Sequence, residues 1–293
     1  MKKIINTFLF LNLMMASQVT YGQKDFKYGE AFAALPHDVR NFTAIDTAKY
    51  IITYSVEAIV DPVEFPNKKI KEILTLQIGE KMSKSYNQTL FNGDSIFFNQ
   101  YIAKGKDGPY KMNPVIPADI YKNYPSGIFT VNYRLTKYNY SYKENYPMEF
   151  NWQLTKERKQ ILSYNCQKAT CTFRGRNYTA WFSPEIPIKE GPYKFGGLPG
   201  LILQMNDDKN EYVFTCIGIN KPKDIVPIKY FKWQYTNITR EKLNAYLIKV
   251  HKNQGQFLDT SNWRGFVIDD NGKQKDVTAQ LPNVFSYNPI ELK

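Results

Sequence analysis

The chain has 293 residues, 39 Lys plus Arg against 27 Asp plus Glu, and a formal net charge of +12, with 22 Tyr and 19 Phe but only three Cys and two His. His37 and His251 are too few for a histidine-based metal site with any redundancy, so no metal and no cofactor is expected. The lysines are scattered rather than massed in one stripe, which argues against a nucleic-acid partner.

Lys2 and Lys3 open the chain, Ile4 to Met15 run almost wholly apolar, and small or polar residues fill Ala16 to Gly22. That order predicts a cleavable secretory signal peptide over residues 1–22, cut near Gly22, and hence a periplasmic or secreted protein. No cysteine stands at the cut, so no lipid anchor is expected. No later segment approaches ~18 uninterrupted apolar residues, so the mature protein is not expected to span a membrane.

From Tyr50 the pattern is that of strands. Ile52, Tyr54, Val56, Ala58 and Val60 share one face, and Leu74, Leu76 and Ile78 repeat the alternation within Ile70 to Ile78. Asn92-Gly93-Asp94 reads as a turn, and Ile96 to Ile102 as a strand or short helix. Residues 104–127 hold so many Gly and Pro that a long irregular connection is expected. Phe129, Val131, Tyr133 and Leu135 alternate again, as do Tyr138, Tyr140 and Tyr142, whose aromatic face reads first as packing and second as a ligand surface.

Met148 to Leu154 and Gln160 to Tyr164 read as short strands around a charged turn, Lys156 to Lys159. Thr170 to Arg174 and Tyr178 to Phe182 read as a hairpin around Gly175-Arg176-Asn177. Leu201 to Met205 and Glu211 to Ile219 form another pair around residues 206–210. A helix follows Thr239, a good N-cap, with Leu243, Tyr246, Leu247 and Val250 on one stripe. The expected fold is mainly β: an antiparallel curved sheet or half-closed barrel with one packed helix, or alternatively a β-sandwich. One domain is expected over residues 23–255, with a polar C-terminal extension over 256–293 that ends loosely.

Residues 164–205 carry the densest motif. Cys166, Lys168-Ala169, Arg174-Gly175-Arg176, Ala180-Trp181-Phe182, Glu185-Ile186-Pro187-Ile188, Gly191-Pro192 and the hexapeptide Gly197 to Ile202 follow in order. The segment resembles the GLPGLI family of exported Bacteroidota proteins. That resemblance implies an envelope location and possible outer-membrane receptor or envelope-protein partners, and no reaction. Within Leu198-Pro199-Gly200-Leu201, Pro199 presets φ and Gly200 supplies the positive φ of a type II turn that folds inward. Trp181, Glu185, Tyr193, Phe195, Leu198, Pro199, Gly200 and Leu201 are the candidate ligand- or partner-binding residues.

Export and spacing favour a disulfide between Cys166 and Cys171, leaving Cys216 reduced and buried. Five residues along an unbroken strand would point those thiols to opposite faces, so the bond needs a bend. No catalytic residue stands out: there is no Gly-x-Ser-x-Gly elbow, and Cys166 with His251 is a poor thiol pair. Asp207 and Asp208 read as turn residues, and Glu185 as a partner of Arg174 or Arg176. The favoured function is a non-enzymatic exported cell-envelope protein that binds an apolar or peptide-like ligand or an outer-membrane partner. The alternative is a secreted hydrolase of peptides or glycans.

Overall fold

The computed structural model describes residues 34–102, 114–136, 138–253, 266–268, 274–276 and 287–293. The expected signal peptide, part of the irregular 104–127 connection and most of the polar extension lie outside the described residues.

The fold is mainly β, as expected. Twelve strands form one sheet. In chain order they are β2 (Tyr50–Ile59), β3 (Lys69–Ile78), β4 (Ser83–Asn87), β5 (Ala118–Lys122), β6 (Ile128–Leu135), β7 (Tyr138–Asn145), β8 (Gln153–Ile161), β9 (Tyr164–Phe173), β10 (Arg176–Ser183), β11 (Leu201–Asp207), β12 (Tyr212–Asn220) and β14 (Thr236–Asn237). Their order across the sheet is β14-β7-β6-β5-β4-β3-β2-β12-β11-β10-β9-β8. Every neighbour pair is antiparallel except β14 with β7. The sheet does not close: β8 and β14 are its two edges. It is nevertheless curved, because Glu144 at the end of β7 pairs with Arg174 in the turn after β9, near the opposite edge.

Curvature gives the sheet an inner face, and alternation fills it. Ile52, Tyr54 and Val56 of β2, Leu74 and Leu76 of β3, and Tyr178, Ala180 and Phe182 of β10 are all buried in one cluster. The helix α2 (Arg240–Lys252) lays Leu243, Leu247 and Val250 on that cluster. Thr239 caps it, its Oγ1 accepting from the Lys242 amide at 3.2 Å. On the other face a separate pair, β1 (Phe42–Thr47) with β13 (Pro227–Phe231), packs Ile228 against Tyr121 and Met82. A last hairpin pairs β15 (Phe266–Ile268) with β16 (Gln274–Asp276).

Several local expectations are corrected. Asn92-Gly93-Asp94 is not a turn but part of helix α1 (Gln88–Ile96), continued by a π-helical turn over Phe97–Ile102. Asn87 caps α1 by accepting from the Leu90 amide, and Asp94 is buried against Arg134. The 104–127 connection contains a strand, β5. Lys156 to Lys159 lie inside β8, where a bulge falls between Leu154 and Arg158. Charged side chains and a bulge on an edge strand discourage pairing with another sheet. The turn comes later, at Leu162 and Ser163, both at positive φ (49° and 70°). The β9–β10 turn is Arg174-Gly175, also both positive, so Arg176 already belongs to β10. Two positive-φ residues make the tight hairpin whose twist matches the strands.

Residues 287–293 are not loose. Ile290 joins the core, Tyr178 Oη donates to its carbonyl at 2.6 Å, and Arg176 donates to the Pro289 carbonyl at 2.8 Å. Arg176 is itself buried between Asp207 and Glu211, at 2.9 and 2.6 Å.

The expected disulfide is overturned: Cys166, Cys171 and Cys216 are all free and buried. Cys166 and Cys171 sit on one strand, which runs in unbroken register with β10 from Gln167 to Phe173 and so supplies no bend. Alkylation of the denatured, unreduced protein should therefore label three thiols, read by intact mass. A cysteine-linked peptide in a non-reducing digest would overturn this.

Glu72 gives a pH test. It is buried and accepts from the Val115 amide at 2.6 Å and from Asn87 Nδ2 at 2.7 Å; burial pushes its pKa up to about 7. A carboxyl whose folded pKa is raised contributes stability that is full below its unfolded value and lost as pH rises through the folded one. Relative to Glu72→Gln, the wild type should lose on the order of 2–3 kcal/mol between pH 4.5 and 7.5. Denaturant titrations of both proteins across that range check it.

Candidate functional site

The segment 184–200 crosses from β10 to β11 and is tied down by backbone bonds. Leu201 N donates to the Ile186 carbonyl, Ile202 N to Glu190 and Gly197 N to Lys189, at 2.9–3.0 Å. Gly200 N donates to the Leu198 carbonyl at 2.8 Å, closing a three-residue turn around Pro199, not a type II turn. The positive φ sits at Gly197 (84°) instead. Gly200 is required by contact: a Cβ there would lie 2.1 Å from the Ser183 carbonyl oxygen.

Most of the residues singled out from sequence in this segment are packing residues. Tyr193, Phe195, Leu198, Gly200 and Leu201 are buried. Phe195 lies at the centre of an aromatic nest with Phe150, Phe173 and Tyr178, at ring distances of 4.7–5.5 Å. Tyr193 donates to Glu291 at 2.6 Å. Pro199 is exposed. Glu185 is exposed too, but it accepts from Asn165 N and Nδ2 rather than pairing with an arginine. Trp181 is half-buried on the outer face, with Lys159 Nζ 4.2 Å from its ring centre.

The paired carboxylates after β11 separate. Asp207 turns inward, accepting from the Tyr212 amide at 2.7 Å and from Arg176; burial raises its pKa. Asp208 turns outward and accepts from Asn177 Nδ2 at 3.1 Å. His251 is buried against Tyr287 and bonds the Leu247 carbonyl, so it forms no pair with Cys166. Among the described residues, no group of three His, Cys, Asp or Glu side chains is placed to hold a metal ion, and no helix is long and apolar enough to cross a membrane.

Two concavities among the described residues bear on ligand binding. One, of about 110 Å³, lies between α2, β6 and the 287–291 segment and is lined largely by apolar groups such as Val131, Leu135, Leu243 and Ile290. The other, of about 520 Å³, opens on the outer face of β8–β10 beside the β11–β12 turn. Pockets for small organic ligands run to ~300–1,000 Å³, so only the second has the room.

The outer groove is built by strand alternation. On β9, Thr170 and Thr172 point out while Ala169, Cys171 and Phe173 point in; on β10, Asn177 and Thr179 point out around buried Tyr178. Register then lines the outward side chains into rows. Thr170 faces Gln153 on one side and Thr179 on the other, and Thr172 faces Asn177. Thr172 Oγ1 donates to Asn177 Oδ1 at 2.7 Å, and Asn177 passes a bond on to Asp208. Thr170 and Thr179 spend no hydroxyl bond on the protein among the described residues. Sequence reading missed this groove because Thr and Asn on strands carry no motif; only the register brings them together.

A family model described as N-glycanase peptide, N-terminal domain, matches residues 143–244, which include the whole groove and the 184–200 segment. Two solved structures of PNGF-II, in the P21 and C2 space groups, are similar at 17% and 16% identity with TM-scores of 0.46 and 0.47, each covering 70% of this chain. The chain covers 34% and 33% of those structures, so it spans about a third of their length. No curated protein matches the chain. The N-glycanase match overturns the favoured expectation of a non-enzymatic protein for an apolar or peptide-like ligand or an outer-membrane partner, and favours the hydrolase alternative.

The two glycines separate contact from conformation. Gly200→Ala forces its Cβ onto backbone atoms of Ser183 and Pro184, whereas Gly197→Ala meets open space and costs only the strain of positive φ, on the order of 1–2 kcal/mol. Thermal denaturation should show Gly200→Ala losing clearly more than Gly197→Ala. The reverse order would mean that the turn relaxes away from Ser183.

Proposed function

We propose that the chain serves the hydrolysis of protein-linked glycans, and that the outer groove on β8–β10 is the surface that holds the glycan. The observation that carries this reading is a coincidence of place: the N-glycanase match at 143–244 contains a groove lined by hydroxyls, amides and one carboxylate. A sugar is a dense array of donors and acceptors. Amide side chains offer both at once, and free threonine hydroxyls add more. Asn151, Gln153 and Asn177 supply the amides, and Thr170, Thr172 and Thr179 the hydroxyls.

Among the described residues, Asp208 is the only carboxylate lining the groove. A glycosidase pair would face it with a second carboxylate at ~5–10 Å, and the lining has none, so the role assigned to Asp208 is to orient a hydroxyl. Trp181 lies two residues along β10 from Thr179 on the same outer face, about 7 Å away, where an aromatic ring can extend the groove's surface. The same proposal places the protein outside the cytoplasm, where glycoproteins are met. The Lys–apolar–small order of residues 1–22 and the resemblance to the GLPGLI family support that placement.

The test compares an N-glycosylated protein with its enzymatically deglycosylated form, using the full purified chain. The expected result is at least tenfold tighter binding to the glycosylated form, and release of glycan detected by mass spectrometry. Asn177→Ala and Thr170→Val, both on the outer face, should each weaken binding about threefold to tenfold, in line with ~1 kcal/mol per lost hydrogen bond, and leave the melting temperature within about two degrees. Equal binding to both forms, with no released glycan, would sink the proposal.

A further inference from the structure

We infer that the outer groove selects neutral sugar units and rejects anionic ones. This rests on the proposal that the groove holds a glycan, and it concerns which glycan. The side chains that reach the groove from outside the core are Asn151, Gln153, Asn177, the threonines 170, 172 and 179, and Asp208. None is cationic, although the chain as a whole carries a net charge of +12. A carboxylated or sulfated sugar would meet no cation among the described residues of the lining and would meet the charge of Asp208.

Lys209, beside Asp208 in the β11–β12 turn, is exposed and outside the lining, and two cations on the outer face of β8 and β9 are already committed. Lys168, two residues from Thr170 on β9, is paired with both carboxylate oxygens of Glu157, at 2.8 and 3.0 Å. Lys159 donates to Gln204 Oε1 and lies over the Trp181 ring. Longer-range attraction from the basic surface is damped over a Debye length of ~8 Å at physiological salt. Contact chemistry therefore decides, and it is the chemistry of neutral hydroxyls and acetamido groups. Asn177 is held by Thr172 on one side and Asp208 on the other, so its amide is fixed before any sugar arrives.

The experiment titrates the full chain with a neutral high-mannose-type oligosaccharide and with a sialylated oligosaccharide of similar size, at physiological salt, by calorimetry. The neutral probe is expected to bind at least tenfold tighter. Asp208→Asn, which removes the charge and keeps the shape, should narrow that gap at least threefold by strengthening the sialylated probe. Equal binding of the two probes, or a preference for the sialylated one, would overturn the inference and leave the glycan-holding reading intact. No binding of either probe would overturn the reading itself. A gap that Asp208→Asn does not narrow would show that the groove's charge is not what discriminates.

Discussion

The structure depends on one buried ammonium group. Lys122 on β5 is almost wholly removed from solvent, and its Nζ donates to Glu190 Oε2 at 2.9 Å, to the Gly191 carbonyl at 2.9 Å and to the Phe195 carbonyl at 2.7 Å. An ammonium has three protons, and here each has an acceptor. Burial alone drives its pKa down, and the charge of Glu190 opposes that. An unpaired charge in such a place would cost several kcal/mol, so the 184–200 segment has little freedom to leave while Lys122 is there. Ser83 adds a second bond to Glu190 at 3.0 Å. The segment between β10 and β11 is thereby pinned to β4 and β5 in the other half of the sheet, a contact that the sheet's curvature allows.

Once the segment is fixed, the aromatic nest follows. Phe195, whose carbonyl is held by Lys122, packs against Phe150, Phe173 and Tyr178. Burying a phenylalanine contributes on the order of 1.5–3 kcal/mol, and this nest buries several. Trp152 then donates to the Gly196 carbonyl at 2.9 Å, linking the start of β8 to the same segment. A second buried lysine, Lys194, joins Glu144 of β7 and Glu291 of the C-terminal segment at 2.6 and 2.7 Å. Lys122 and Lys194 thus tie the loop between β10 and β11 to β5 and β7, across a sheet that has no barrel closure to hold its shape.

Legibility in the sequence followed side-chain period. The strands at Ile52 to Val60, Leu74 to Ile78 and Tyr178 to Phe182, and the helix at Leu243 to Val250, were readable because their apolar side chains repeat at 2 or 3.6 residues. Turns were readable where Gly, Asn or Asp marks them, as at Gly175 and at residues 206–210. Leu162 and Ser163 make a two-residue turn with neither Gly nor Asn in it, so the expected break fell too early, at Lys156 to Lys159. Gly200 was recognised as necessary but for the wrong reason, since close approach to Ser183 is a long-range contact that local turn rules do not contain. Asn92-Gly93-Asp94 reads as a turn locally, yet the Asp94–Arg134 pair, 40 residues apart, comes with a helix there. The groove failed for the same cause: Gln153, Thr170, Thr179 and Asp208 become neighbours only through strand order.

These two faces bear different loads. On the inner face the hexapeptide, the aromatic nest and the buried lysines share partners, so their energies couple and a change at one disturbs the rest. On the outer face, Thr170, Asn177 and Thr179 contribute little to burial, and surface substitutions away from core features usually shift stability by no more than ~0.5 kcal/mol. A residue set that can vary at so small a cost is where recognition can be adjusted without risking the fold. The densest motif of the sequence is therefore not where the proposed chemistry lies. The hexapeptide is legible because packing permits few alternatives there, and the groove is mute because hydroxyls and amides on a strand are common. Between them, the inner face holds the curved surface in shape and the outer face presents it.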